Sequence, residues 1–281
     1  MAREYIARDP RTGERIGAKP KGARKGVGIA ALSPDSGPWQ RLESHEILPL
    51  ANGESGKIEI LADGKTWLLG RIDGIKALAK VPEKDVERAY DSLVDALEDD
   101  FPDVRIAALK TLPSFSLRRQ GILLHCLSDR LQDDEDSVRE EAMTCLKKVA
   151  PLFPSGCEEI LRRELRDTRK DHRGNAFEAL KLASREWPEV GCLHLDELIR
   201  EEEGDLRIRG SMILRTIASK GGAEAWDLIG WSLQDEEVQV RRNASKTLTI
   251  LADVEPRVAV ILVESSIGED DRQIRGSVIK A

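Results

Sequence analysis

The chain has 281 residues, 40% of them hydrophobic, 34% charged and only 4% aromatic. That is a soluble, globular composition with a heavily charged surface, and it suits helices packed through Leu, Ile, Val and Ala better than a β-sandwich. The net charge of −7 excludes non-specific nucleic-acid binding by the surface as a whole.

Residues 1–36 are rich in Gly, Pro, Arg and Lys, as in "RDPRTGERIGAKPKGARKG", and too poor in apolar residues to build a core. They predict a basic, disordered N-terminal arm. Through residue 26 the arm carries +5, which leaves −12 on the rest of the chain. Such an arm acts either as a solubilising tail or as a tether to something acidic, nucleic acid included.

Further along, an internal period takes over. Arg105, Arg139, Arg173, Arg207, Arg241 and Arg275 stand 34 residues apart without an insertion or deletion, the signature of stacked supersecondary units. Just before them come Val104, Val138, His172, Leu206, Val240 and Ile274. Three residues after them stand Ala108, Ala142, Ala176, Gly210 and Ala244, and seven after stand Leu112, Leu146, Leu180, Leu214 and Leu248. These positions share one face of a helix. An earlier helix carries the columns Leu93, Leu127, Leu161, Leu195, Ile229, Val263 and Leu97, Leu131, Leu165, Ile199, Leu233, Ile267. Asp103, Ser137, Asp171 and Asp205 are expected to cap the second helices, with Gln239 and Gln273 as poorer caps.

Six residues before each arginine stands an acid: Asp99, Asp133, Asp167, Glu201, Asp235 and Glu269. Acid and arginine repeating together predict a structural ladder of charge-assisted bonds between units. Arginine's planar fork can bond a carboxylate in bidentate fashion, which lysine cannot do.

One step earlier the same frame meets Arg71, Gly74 and Leu78, but Lys65 occupies the acid slot. Residues 37–82 therefore predict a degenerate N-terminal capping unit, with "SGKIEIL" as a frayed helix or a strand. At the far end the sequence runs six residues past Arg275, which marks either a fragment or a last unit whose face something else covers.

The pattern L-x-D-x-x-x-x-V-R-x-x-A-x-x-x-L resembles the HEAT repeat and covers residues 83–281. Tetratricopeptide repeats share the period, but their Trp-x-x-Leu-Gly, Tyr and Pro columns do not occur. The resemblance implies an all-α fold, an α-solenoid (α-α superhelix) of about six HEAT-like helix pairs. It also implies that the Asp and Arg columns are scaffold, and that partners bind the concave side lined by the second helices.

Signals of chemistry are weak. The chain lacks H-E-x-x-H, G-x-x-x-x-G-K-[ST] and G-x-S-x-G. His45-Glu46 is one pair where HEAT-type di-iron hydroxylases need several. His125, His172 and His194 read as partly buried, hydrogen-bonded side chains. Bilin lyases and alkylpurine DNA glycosylases are also HEAT-like, yet no chromophore set is present, and Trp187, Trp226 and Trp231 read as packing. The cysteines Cys126, Cys145, Cys157 and Cys192 share no C-x-x-C spacing and read as reduced structural thiols. With no membrane span and no signal core, the chain reads as cytoplasmic.

The second helices carry Lys147, Lys181, Arg209, Arg215, Arg242 and Lys246, a mildly basic candidate binding face. The turns, "EDDFPD", "DDED", "EEEGD", "DEE" and "EDD", form an acidic ridge. The expected function is a non-catalytic scaffold that binds a protein partner by one of these surfaces, without cofactor or metal. The alternative is a nucleic-acid-binding solenoid, a glycosylase-like enzyme included, that uses the arm and the basic helices.

Overall fold

The computed structural model describes residues 7–8, 15–16, 44–53, 64–115 and 120–281. Within the expected arm, Ala7–Arg8 (β1) pairs antiparallel with Arg15–Ile16 (β2), Ala7 opposite Ile16. β1 also lies against the helix that begins at Gly64. The rest of the arm and the stretch "SGKIEIL" lie outside the described residues. All other regular structure among the described residues is helical.

The chain divides into two compact units, residues 1–145 and 146–281. In the first, α1 (Ser44–Ala51) pairs with α2 (Gly64–Ala77), and α3 (Val86–Leu97) with α4 (Pro102–Thr111). Next come α5 (Gln120–Arg130) and α6 (Asp136–Val149), in which the division falls. In the second, α7 (Pro154–Glu164) pairs with α8 (Lys170–Glu186). The helix α9 (Pro188–Leu198) pairs with α10 (Gly204–Ser211) and α11 (Leu214–Ile217). Then α12 (Gly222–Leu233) packs with α13 (Val238–Ser245) and α14 (Leu248–Val254), and α15 (Pro256–Ser265) precedes α16 (Arg272–Val278).

The repeating columns are the core. Leu93, Leu97, Leu161, Leu165, Leu195 and Ile229 are fully buried, as are Val104, Val138 and Val240. Leu112, Leu146, Leu180, Leu214 and Leu248 close the second helices against them. Pro102, Pro154, Pro188 and Pro256 each open a helix, where the missing amide hydrogen costs no internal bond.

One expectation is corrected. The capping residues lie earlier than the spacing suggests. The second helices begin at Pro102, Asp136, Lys170 and Gly204, so Asp103, Ser137, Asp171 and Asp205 sit in the first turn. There the charges of Asp103, Asp171 and Asp205 favour the amide-rich helix end, as that of Asp136 does beside Ser137. Asp271 does cap α16, accepting from the amides of Gln273 and Ile274. The first helix described in the N-terminal pair is α1, which ends at Ala51.

The second helices of two pairs are also broken. After Ser211 and Ser245 the chain makes a tight turn before helix resumes at Leu214 and Leu248. In both, the serine hydroxyl donates to a carbonyl three residues back, Ile208 and Arg242 respectively. Such bonding competes with the regular helical ladder. The same column holds Met143 and Phe177 in α6 and α8, which run unbroken.

Gly74 shows why the N-terminal pair needs its small residue. A Cβ there would stand 2.6 Å from the Ala51 amide nitrogen and 2.7 Å from the Leu50 Cβ. Backbone cannot yield as a flexible side chain would. Gly74→Ala should therefore lower stability by about 2 kcal/mol, as overpacking does. Gly121→Ala, where a Cβ meets nothing within 4 Å, should be neutral or slightly stabilising by helix propensity. Urea unfolding followed by circular dichroism distinguishes the two.

Candidate binding surface

Four of the turns between paired helices are organised from their acid. The Asp99 carboxylate accepts from the Phe101 amide at 2.8 Å, Asp133 from Glu135 at 3.1 Å, Asp167 from Arg169 at 2.7 Å and Asp235 from Glu237 at 2.8 Å. The arginine six residues on closes the same turn from the other side. Arg105 donates to the Asp99 and Asp100 carbonyls at 2.6 and 3.2 Å, and Arg207 to those of Glu201 and Glu202 at 2.8 and 3.0 Å. Arg241 and Arg275 repeat this on their own turns, and Arg139 donates to the Asp133 carbonyl.

The remaining guanidinium nitrogens reach the acid of the following pair. In the first unit Arg71 meets Asp99 at 2.5 Å, and Arg105 meets Asp133 at 2.8 Å. In the second, Arg207 meets Asp235 at 3.1 Å, and Arg241 holds both oxygens of Glu269, at 2.9 and 3.4 Å. The N-terminal pair thus supplies a rung despite having Lys65 in its acid slot. Burial outweighs its partners at Asp99, whose carboxyl is pushed above the usual range.

Arg173 departs from the expected rung. It pairs with Asp205 at 3.1 Å and Glu203 at 3.5 Å, while Glu201 is held by Arg166 at 2.6 Å. Arg139 pairs with Asp136, and Asp167 is gripped at both oxygens by Arg169, which holds its carboxyl down at about 2. Two further bridges link α7 to the next pair. Arg162 bonds both oxygens of Glu197, at 2.8 to 3.1 Å, and Arg166 bonds Glu201. Their separation, 35 residues, is one repeat plus one, a spacing visible in the sequence once the period is known.

The expected basic face is largely engaged within the chain. Lys147 donates to the Asn175 side-chain oxygen at 2.6 Å, and Lys181 lies 3.5 Å from Glu178. Arg209 pairs with Asp205 at 3.1 Å, and Arg242 grips Asp271 at 2.8 Å. Arg215 and Lys246 are exposed and make no hydrogen bond or ion pair among the described residues. Beside them Met212, in the same column as Lys246, is 58% exposed. On the ridge, Asp100, Asp134, Glu202, Glu236 and Asp270 are exposed.

The chemistry-bearing groups do not converge on a reaction centre. Burial pushes the Cys157 thiol up to about 12 and Cys192 to about 11, so neither is a thiolate at neutral pH. Trp187 donates its indole hydrogen to the Pro151 carbonyl at 2.9 Å, and Trp231 stacks under Arg200. A recess of about 400 Å³ lies among Leu233, Ser265, Ser266 and Glu269. Its two serine hydroxyls donate to the Leu262 carbonyl.

Glu164, Asp167 and His172 bring one oxygen or nitrogen each within 4.8 Å of one another, the geometry of a metal-binding group. Each carboxylate there is already matched by a guanidinium, Arg163 on Glu164 and Arg169 on Asp167, so a divalent cation would enter against two positive charges.

The histidines differ from expectation. His125 is exposed, and His172 lies 3.7 Å from the buried Glu164 carboxylate. His194 is fully buried and neither ring nitrogen has a hydrogen-bond partner. It stands in a first-helix column that holds Ile160 and Leu228, both buried, in the neighbouring pairs.

No family model matches the sequence, and no curated protein matches it. Solved structures do resemble the fold. Importin beta, crystallised in an ammonium sulfate condition, superposes at a TM-score of 0.51 with 12% identity, over 84% of this chain and 34% of that one. A Kap95 chain from a Kap95:Nup1 complex gives 0.53 with 13% identity, over 89% and 36%. A HEAT-like repeats protein of the archaeon Thermococcus onnurineus NA1 is 14% identical over 85% of this chain and 95% of that one, at 0.46. The chain spans about a third of the length of the first two. The likeness is one of fold, and with the 34-residue frame it defines the class: this is an all-α chain with the HEAT-repeat fold, the α-solenoid class built of helix pairs. No helix among the described residues is long and apolar enough to cross a membrane.

Two measurements follow from these contacts. Arg207→Ala removes two turn bonds and a rung that is mostly buried, and should cost about 2 kcal/mol. Arg275→Ala removes only exposed bonds to its own turn and should cost about 0.5 kcal/mol or less. Equal losses in chemical denaturation would contradict the ladder.

The second concerns His194. Burial holds its imidazole down at about 4 instead of 6.5, with Glu197 opposing and Arg162 and Arg166 reinforcing the shift. The unfolded chain therefore takes up the proton first as pH falls. Stability from this residue is complete above pH 6.5 and is lost between 6.5 and 4, to a ceiling of about 3 kcal/mol. Replacing His194 by Leu should flatten the pH dependence of unfolding in that window.

Proposed function

We propose that this chain is a non-catalytic scaffold that binds a protein partner through the second-helix side of residues 204–254. The observation that carries the reading is the contrast within the basic set. Lys147, Lys181, Arg209 and Arg242 have partners of their own, whereas Arg215 and Lys246 stand free beside the exposed Met212. A flexible thioether flanked by unpaired cations suits a partner that offers an apolar side chain with carboxylates around it.

The same internal pairing weighs against the nucleic-acid reading. Phosphate binding draws on many cations free to replace counterions, and here most of the second-helix cations are spent on carboxylates and amides. The fold supports scaffold use because each pair adds surface without needing a catalytic cavity.

A photo-crosslinking residue placed at Met212 tests this in the native cell, with a matched probe at Glu202 on the acidic ridge. The expected result is a protein adduct at position 212 that survives nuclease treatment and is lost in the Arg215→Glu, Lys246→Glu double variant. An adduct at 202 alone would move binding to the ridge. An adduct abolished by nuclease would favour the nucleic-acid reading.

A further inference from the structure

We propose that the outer face of α12 receives an arginine side chain of a protein partner, between the open face of the Trp231 indole and the Asp227 carboxylate. This surface lies on the first helices, apart from the one around Met212, and the inference does not depend on the scaffold reading. It starts from a tryptophan that does not serve packing. Trp231 is 67% exposed in a solvent-facing column that otherwise holds Asp95, Asp129, Arg163, Glu197 and Ser265. No missing neighbour accounts for that exposure. Helix α12 packs against α9 on one side. On the other, a Cβ at Gly230 would stand 3.3 Å from the Leu262 side chain of α15. A single exposed apolar residue is ordinary on a protein surface, and it is the polar surroundings that give this one a ligand.

The chain itself shows what the ring binds. The Arg200 guanidinium stands 5.8 Å from the centroid of the indole. Its edge is held by Asp196, at 2.7 Å from Nη2 and 3.3 Å from Nε. Ring below and carboxylate at the edge satisfy a guanidinium in both ways that its plane allows. An indole has two faces, and Arg200 takes one. A helical side chain leans toward the N-terminus of its helix, so the ring lies over the turn that carries Asp227, four residues back. Asp227 is exposed and makes no hydrogen bond or ion pair among the described residues. A second ring face and a second carboxylate are thus in place for a guanidinium from outside.

Charge decides the occupant. Glu224, Asp227 and Trp231 follow the i, i+3, i+7 spacing of one helix face, and all three are exposed. Helix α12 contains neither Lys nor Arg, so its two carboxylates are not neutralised along their own helix. A cationic segment is attracted there, and an acidic one is repelled. Between the two cations, arginine fits and lysine does not. Arginine stacks through its plane and bonds a carboxylate through its edge at once, where an ammonium is a single point charge.

Nuclear magnetic resonance of the full chain, with isotope-labelled indole nitrogens in its five tryptophans, reads the site directly. Trp231→Phe assigns the signal. A hexa-arginine peptide, titrated to about 1 mM, is expected to move the Trp231 signal saturably. A hexa-lysine peptide should need a concentration about tenfold higher or more for the same shift. Asp227→Asn should weaken the arginine titration by a similar factor, with unchanged helical circular dichroism. Glu236→Gln, the same charge change on the acidic ridge, should leave the titration as it was. A Trp231 signal that stays in place over the whole titration would overturn the proposal. So would an equal response to the two peptides, or an equal loss in the two variants. Either would reduce the site to general attraction between a basic peptide and an acidic chain.

Discussion

A guanidinium that serves two structures at once is the constraint on which this fold turns. At the end of a first helix the last carbonyls have no intrahelical donor, and the chain must still reverse within a few residues. The arginine of the second helix donates to two carbonyls of the turn beyond the first helix, those of Glu201 and Glu202 for Arg207, and spends its other nitrogens on the carboxylate of the next pair. That carboxylate in turn fixes its own turn by accepting an amide hydrogen two residues on. Turn and stacking contact are therefore one network. An insertion in any turn would misplace both ends of a rung, which gives a physical reason for a period of 34 residues kept without a gap.

The network also explains why a lysine would not serve. The bonds to carbonyls and carboxylate point in different directions from one plane, at distances of 2.6 to 3.3 Å. A planar fork with five hydrogens covers such directions together, and a single ammonium cannot. The cost is a buried nitrogen without an acceptor at Arg105 and Arg173, which the charge-assisted bonds of the same side chain outweigh.

Much of this was legible from spacing alone. The columns of Leu, Ala and Val mark the two helices because side-chain burial repeats with the helix period, and the structure buries those residues. What spacing could not show was local choice among nearby partners. The repeat frame assigns Glu201 to Arg173, whereas the structure gives it to Arg166. The capping role of Asp271, and the breaks after Ser211 and Ser245, depend on side-chain bonds to backbone that the apolar frame does not encode. The candidate face fared similarly. Lys147, Lys181, Arg209 and Arg242 count as surface charge in sequence, yet each has an oxygen close enough to hold it. Charge that is already paired contributes little to a partner, so a count of cations overstates the face, and exposure at Met212, Arg215 and Lys246 describes it better.

The central claim is that neighbouring helix pairs are coupled through the arginine and the following acid. A double-mutant cycle on Arg207→Ala and Asp235→Ala, read by urea unfolding, measures that coupling directly. The account predicts an interaction energy of about 1–2 kcal/mol, with the double variant less destabilised than the sum of the single ones. Strict additivity would mean that the two residues act only within their own turns, and the ladder would not join the pairs.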